Sequence, residues 1–188
     1  MSGFAGSVHH LTTDEQLMLD VRAGSRDAFE ELFDRYRGPI WRFFRRRVFD
    51  HARAEELAQD TFVAVLQGAA RYQRRAPFRS YLFGIAYNIL LADRRKTSSR
   101  QTAALEVEPM ASPGDGDSAI WVRQALAELD ADDRDLLMLR EYEQLSYQEI
   151  AHLMNMPLNT VRSRLFRARM ALKVLLDRPA PVALKVTG

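Results

Sequence analysis

The sequence predicts an all-α protein made of two small helical domains joined by a flexible linker. Apolar residues recur at three- and four-residue spacing along nearly the whole chain, which is the period of an amphipathic helix. No segment alternates apolar and polar residues strongly enough to build a sheet. The helical period stops between residues 97 and 117, where prolines and glycines are concentrated. A chain of 188 residues has room for one small domain on each side of this break.

The first domain is predicted over residues 13–97, after an N-terminal tail over residues 1–12 that we expect to be disordered. Thr13 to Gln16 has the form of a capping box and marks the start of the first helix. Pro39 falls inside a strongly amphipathic segment and is predicted to break or kink its helix. The helical segments of this domain are predicted over residues 13–21, 27–49, 54–66 and 78–95.

Residues 98–117 are predicted to form the linker, because a structureless segment of about 20 residues is uncommon inside a compact domain. The second domain, residues 118–177, is predicted as a winged-helix-like arrangement of four short helices, followed by a loose tail over residues 178–188. Ser146 to Glu149 forms a capping box, and Asn155 can take the left-handed conformation of the turn that follows. The four helices are predicted over residues 118–129, 132–142, 146–154 and 159–176.

The composition excludes several classes of protein. There is no cysteine, which rules out thiol catalysis, disulfides and cysteine-ligated metals. The four histidines lack metal-ligand spacing, and no glycine-rich phosphate loop or nucleophile elbow is present. We therefore predict no metal, no cofactor and no enzymatic activity. Neither a signal peptide nor a membrane-spanning run is visible, so the expected location is the cytoplasm.

Charge is unevenly distributed behind a net charge of +2. Residues 101–135 carry nine acidic and two basic side chains, whereas residues 160–176 carry five basic side chains and no acidic one. Separated blocks of one sign indicate a polyanionic partner such as nucleic acid. Solvated helix faces are the alternative explanation for any single cluster. Further basic clusters lie at residues 42–47, 71–79 and 94–100.

The third and fourth helices of the second domain have the spacing of a helix-turn-helix. The apolar residues that lie along one side of the fourth helix are Val161, Leu165, Ala168, Leu172 and Leu175. The opposite side offers arginine, serine and phenylalanine, which suit guanine, a base edge or phosphate, and a thymine methyl group. Arg164 and Arg169 flank the apolar side and are predicted to contact phosphates. The predicted base-reading residues are Arg162, Ser163, Phe166 and Arg167.

Several segments, taken in order, carry a family resemblance. Leu145–Ala151 and Thr160–Arg169 form the helix-turn-helix, and three segments precede them. Asp27–Phe33, Ala54–Phe62 and Phe78–Asn88 occur in the first domain. Together they resemble bacterial RNA polymerase sigma factors of the extracytoplasmic-function (ECF) group, in the sigma-70 superfamily. Tyr81 departs from the usual tryptophan of that family, and glycine is frequent there at the positions of Gln144, Asn155 and Asn159.

The resemblance implies a factor that directs promoter-specific initiation. The first domain corresponds to sigma region 2, which docks on the clamp helices of core RNA polymerase and melts the minus-ten element. The second corresponds to sigma region 4, which reads the minus-thirty-five element as duplex DNA. Nucleotidyl transfer then belongs to the polymerase. An anti-sigma protein is an expected partner, and the factor is expected to be a monomer in the holoenzyme.

A stripe on the predicted helix over residues 54–66 is the candidate polymerase dock. Its members fall at i, i+3, i+4 and i+7, so they share one face, opposite the apolar stripe that contains Phe62. The resemblance implies that this acidic and polar face meets basic helices of the polymerase. A solvated helix face is the alternative. The stripe consists of Glu56, Gln59, Asp60 and Val63.

The region around Asn88 is the candidate minus-ten site. In the family this region captures a flipped base of the melted strand. Base capture needs a polar side chain to read the base edge, an aromatic surface for stacking and nearby cations. A residue at a helix end is the alternative role for Asn88. The candidate residues are Asn88, Tyr87, Tyr81, Arg94, Arg95 and Lys96.

Three other classes of protein stay open at this point. A stand-alone helix-turn-helix regulator of transcription would explain the second domain but leave the first without a role. An enzyme would need a catalytic site assembled from scattered residues. A helical scaffold protein would show no dependence on DNA. Partner dependence separates them, because a repressor binds its operator alone whereas a sigma factor needs core polymerase.

Overall fold

The computed structural model describes residues 12–48, 50–101 and 117–178, of which residues 98–101 and 117–120 are described by their backbone alone. The chain divides into two compact units, residues 1–107 and 108–188. Every regular element in the described ranges is helical, which confirms the all-α prediction. None of the described helices combines the length and apolar character that crossing a membrane requires.

The first unit contains four α-helices within its described residues. The N-cap residues Thr13, Ser25 and Asp50 each accept a hydrogen bond from a backbone N–H of the helix that follows. The capping box predicted at Thr13 is only half formed, because the Gln16 side chain donates to Asp20 at 3.0 Å. The helices are α1 (Asp14–Arg22), α2 (Arg26–Arg45), α3 (His51–Gly68) and α4 (Phe78–Gln101), with a 3₁₀ turn at Ala69–Arg71.

Helix α2 continues through Pro39, so the predicted break in this helix is wrong. A proline in a helix interior removes a backbone hydrogen bond and costs about 3 kcal/mol or more. Ile40, Phe43 and Phe44 follow it and are fully buried. Because burying each of these side chains contributes about 1.5–3 kcal/mol, their packing outweighs the cost of Pro39. The second half of α2 is therefore held by the core of the unit.

The start of α4 is capped by a residue from a distant helix. Pro77 precedes α4 and has no side-chain oxygen to offer its first turn. The Phe78 N–H donates instead to Oε1 of Glu15, a residue of α1, at 2.8 Å. A carboxylate is favourable at this position because the first turn of a helix carries partial positive charge. This bond ties the beginning of α4 to α1.

The second unit contains four α-helices within residues 117–178 and no strand, so it has no wing in that range. The predicted capping box is present: Ser146 accepts from the Glu149 N–H at 3.2 Å, and the Glu149 carboxylate accepts from the Ser146 N–H at 2.6 Å. Asn155 takes φ 50° and Gln144 takes φ 54°, both left-handed. The helices are α5 (Asp117–Ala127), α6 (Ala131–Glu141), α7 (Tyr147–Leu153) and α8 (Leu158–Leu176).

The boundaries between ordered elements and predicted linker or tails need correction. Helix α4 extends to Gln101 and α5 begins at Asp117, so both ends of the predicted linker are helical. Extending an existing helix by polar residues is inexpensive once it has nucleated. At the edges of the predicted tails, the carbonyl of Thr12 accepts from Arg35 at 2.9 Å, and Arg178 donates to Glu128 at 3.0 Å. The rest of the linker and tails, residues 1–11, 102–116 and 179–188, lies outside the described residues.

Candidate nucleic-acid interface

Helix α8 packs against α5, α6 and α7 and turns one side to solvent. Val161, Leu165 and Ala168 are buried, as predicted, and fix the rotation of the helix. Leu172 and Leu175, at the far end of the predicted stripe, are only half-buried. Arg162, Ser163, Phe166 and Arg167 are all exposed on the other side. Phe166 exposes 65% of its surface, an unusual position for a large aromatic side chain. The arrangement of the four predicted base-reading residues on one exposed face thus agrees with the sequence.

The exposed side chains of α8 differ in the hydrogen bonds that they make within the protein. Arg167 makes no hydrogen bond or ion pair within the described residues, so its guanidinium is available to a ligand. Arg162 makes one long contact, 3.5 Å from Nη1 to the Asn159 side-chain oxygen. The Ser163 hydroxyl donates to the Thr160 carbonyl at 3.1 Å, and it can therefore offer a ligand only its acceptor lone pairs.

The two flanking arginines are held inside the unit, in contrast to the predicted phosphate contacts. Arg164, with 19% of its side chain exposed, faces three carboxylates around the start of α6. Its Nε lies 2.6 Å from Asp133 Oδ1, Nη2 lies 3.2 Å from Asp130 Oδ1, and Nη1 lies 3.4 Å from Asp132 Oδ2. Burial opposes the charge, but the hydrogen bonds to Asp133 and Asp132 outweigh it, so the pKa of Arg164 is raised.

Arg169 bridges two helices on the other flank of α8. Its Nη2 donates to Glu141 of α6 at 2.7 Å, and its Nη1 donates to the Tyr147 hydroxyl of α7 at 3.3 Å. These bonds raise the pKa of Arg169, and the bond from Arg169 lowers the pKa of Tyr147. Sequence reasoning missed these ties because the partners are 22 and 28 residues away in the chain.

Three of the minus-ten candidates share one face of α4. Tyr81, Asn88 and Arg95 occur at seven-residue intervals, which is about two helical turns. Asn88 and Arg95 are exposed, as is Lys96, whereas Arg94 is half-buried. The candidate base reader and two of its cations therefore lie together at the surface of the helix.

The aromatic candidates are placed differently from the prediction. Tyr87 exposes only 3% of its surface, so the stacking role predicted for it is wrong. It lies on the side of α4 that carries Phe83 and Leu90 into the core, and burial rather than ligand contact explains its presence. Tyr81 is half-buried and packs edge-on against Tyr72, with ring centroids 5.1 Å apart. Tyr81 therefore keeps part of its surface accessible.

The stripe on α3 is exposed along its whole length. Glu56, Gln59 and Asp60 are exposed, and Val63 exposes 51% of its surface. Arg53, one turn before Glu56, bonds to Glu56 at 2.6 Å and to Asp93 of α4 at 2.6 Å. The acidic stripe is therefore joined to α4 through one arginine.

The sequence analysis did not identify two exposed apolar residues beside this stripe, Leu66 and Phe33. Leu66 exposes 46% of its surface and lies three residues after Val63, a spacing that could have identified it. Phe33 of α2 exposes 36%, and its ring centroid lies 4.8 Å from that of Phe62. No sequence signal links Phe33 to α3, because helix pairing is set by the packed core.

Comparison with known proteins identifies both units. Residues 32–100 match the family model described as sigma-70 region 2, and residues 119–172 match the model described as sigma-70, region 4. The RNA polymerase sigma-H factor of Pseudomonas aeruginosa is 32% identical over 180 residues, covering 85% of this chain and 91% of that protein. The ECF RNA polymerase sigma factor SigM of Mycobacterium tuberculosis is 31% identical over 176 residues, covering 93% of this chain and 89% of that protein.

Two solved structures have the same fold, each at 24% sequence identity. CnrH in complex with the cytosolic domain of CnrY gives a TM-score of 0.67 and covers 87% of this chain and 97% of that chain. The sigma factor RpoE of Bartonella quintana, in complex with the anti-sigma factor NepR, gives 0.70 and covers 80% and 98%. Because both units match, a stand-alone helix-turn-helix regulator is not favoured. The chain belongs to the ECF group of the sigma-70 family of RNA polymerase sigma factors.

Proposed function

We propose that the two units of this sigma factor divide the promoter between them. As a member of the family, the chain directs promoter-specific transcription initiation by RNA polymerase. The second unit reads the minus-thirty-five element as duplex DNA, and the first docks on the polymerase and captures the melted minus-ten strand. The main support for this proposal is the exposed face of α8. On that face Phe166 and Arg167 lie opposite the buried apolar stripe of the helix.

The outward face of α8 has the chemistry of a major-groove reader. Arg162 and Arg167 can each donate two hydrogen bonds to guanine, and Phe166 can contact a thymine methyl group. Pro157 precedes α8 and no side chain caps it, which leaves N–H groups of the first turn for a phosphate. A helix anchored by its first turn and reading through its middle is typical of a helix-turn-helix protein.

The exposed face of α4 supports the minus-ten role. Asn88 offers an amide that can both donate to and accept from the edge of an extruded base. Arg95 and Lys96 lie about two turns further along and can hold the strand by its phosphates. Tyr81, which is half-buried, supplies the stacking surface in place of the buried Tyr87.

The exposed stripe of α3 is the proposed polymerase dock. Glu56 and Asp60 supply the acidic charge that suits basic helices, and Val63 with Leu66 supplies apolar area beside it. The proximity of charge and apolar surface favours a protein partner over a merely solvated face. The chain works as a monomer in the holoenzyme, and nucleotidyl transfer is performed by the polymerase alone.

An anti-sigma protein is the proposed regulator. One of the two structural neighbours, RpoE of Bartonella quintana, is a sigma factor in complex with the anti-sigma factor NepR. A partner of this kind would hold the factor away from the polymerase in the cytoplasm, where transcription takes place.

The test of the proposed function is partner dependence. Promoter fragments are titrated with the chain alone, with core polymerase alone and with both together. Tight, sequence-selective binding is expected only with both components. Tight binding of the chain alone to a duplex operator would support a stand-alone regulator instead.

A further inference from the structure

Three arginines tether helix α8 to the preceding helices of its unit. Arg164 binds the acidic start of α6, Arg169 binds the end of α6 and the beginning of α7, and Arg178 binds Glu128 after α5. Arg164 and Arg169 lie within α8, and Arg178 lies two residues beyond its end. Together they reach α6, α7 and the residue that follows α5. Helix α8 is therefore constrained by ion pairs in addition to its buried apolar stripe.

Arg164 and Arg169 constrain the rotation of α8 about its own axis. At about 100° per residue, Arg164 lies about 60° to one side of Val161 and Arg169 about 80° to the other. Turning α8 in either direction stretches one of the two tethers. A rotation of about 20° moves a side chain at a radius of about 6 Å by about 2 Å, which is enough to break a hydrogen bond to a base.

Arg164 is the stronger tether of the two. Three carboxylates surround it, and 19% of its side chain is exposed, against 43% for Arg169. If Arg164 turned toward a phosphate, Asp130, Asp132 and Asp133 would lose their shared cation and their repulsion of the DNA backbone would increase. The three carboxylates therefore favour an Arg164 side chain that stays bound to α6 when DNA is bound.

We propose that Arg164 is a positioning residue that sets the rotation of the reading helix, and that it is not a phosphate ligand. The inference rests on the proposed role of α8 in reading the minus-thirty-five element. The acidic start of α6, formed by Asp130, Asp132 and Asp133, serves as the fixed point against which α8 is aligned. Base preference at several positions of the element then depends on an arginine that touches no DNA.

The test uses the full chain in the holoenzyme and measures affinity for single-base variants of the minus-thirty-five element at several salt concentrations. The variants are Arg164→Gln, Arg164→Lys and the charge swap that combines Arg164→Glu with Asp133→Arg. Arg162→Gln is the matched control, because Arg162 is exposed on the same helix and has only one long contact. Circular dichroism at the assay temperature verifies that each variant is folded.

Arg164→Gln is expected to weaken binding to the preferred element roughly tenfold and to relax base preference, because a small misplacement of a binding group is costly. The salt slope should stay close to that of the wild type and preference should relax at several positions, whereas Arg162→Gln, which removes one predicted base contact, should relax preference at one position only. Arg164→Lys should keep only part of the base preference, because a single ammonium cannot reproduce the contacts that the guanidinium makes to three carboxylates. The charge swap should recover preference, which a glutamate at a phosphate site could not do.

Three results would overturn the inference. One is a salt slope that falls by about one in Arg164→Gln while base preference stays intact, which is the behaviour of a phosphate ligand. Another is wild-type binding by Arg164→Lys, because lysine serves equally well as a point charge on a phosphate. The third is a folded Arg164→Gln variant with unchanged affinity and preference. Lack of any minus-thirty-five preference in the wild type would contradict the proposed function instead.

Discussion

Replacing Arg167 by alanine should impair promoter reading without weakening the fold. The side chain is exposed and makes no hydrogen bond or ion pair within the described residues, so its removal should change the free energy of unfolding by less than about 0.5 kcal/mol. A bidentate bond from arginine to guanine is worth about 1–3 kcal/mol. At 1.4 kcal/mol per tenfold, the preferred element should be bound about 5- to 150-fold more weakly.

The assay for Arg167→Ala compares holoenzyme binding across all single-base variants of the minus-thirty-five element, with thermal melting as the stability check. Preference should relax at one position and persist at the others. Lys173→Ala is the matched control, because it removes the same charge from the exposed side of α8 without a predicted base contact. If Arg167→Ala weakens every variant equally, or behaves like Lys173→Ala, the assigned rotation of α8 in the groove is incorrect.

Three further predictions concern the first unit. Reversing Glu56 and Asp60 to lysine should weaken core polymerase binding in a titration while melting changes little, because both side chains are exposed; unchanged affinity would remove them from the interface. Asn88→Ala should reduce open-complex formation, measured by permanganate reactivity, and the size of the reduction should depend on the identity of one base of the minus-ten element. An equal reduction for every base at that position would mean that Asn88 has a structural role. Glu15→Ala should destabilise the unit by about 1–2 kcal/mol in urea unfolding, since the Phe78 N–H loses its acceptor, and Glu15→Gln should cost less. Equal costs for the two Glu15 substitutions would contradict the capping role.

Features that depend on neighbouring residues in the chain could be predicted from the sequence. The capping box at Ser146, the left-handed turn at Asn155 and the buried stripe through Val161 and Leu165 all follow from local patterns. The exposed stripe of α3 follows from helical spacing in the same way. Such features are decided within a few residues, so periodicity and capping rules are sufficient to locate them.

Features that depend on tertiary contacts could not be predicted. The partners of Arg164 lie 31 to 34 residues away, and Glu15 caps a helix that begins 63 residues later. Tyr87 lies near the edge of the buried side of α4, where spacing alone does not decide between core and surface. Pro39 is tolerated because of packing that the local sequence does not reveal. In each case the balance of burial and partner groups overrides the local rule.

The central claim is that this chain confers promoter selection on RNA polymerase through both of its units. The most direct measurement is to sequence the transcripts made by core polymerase and this chain on a library of randomised promoter DNA. We expect start sites to share one minus-ten and one minus-thirty-five sequence, with Asn88→Ala relaxing the first and Arg167→Ala relaxing the second. Start sites that share neither element, or that do not change when the chain is omitted, would contradict the account.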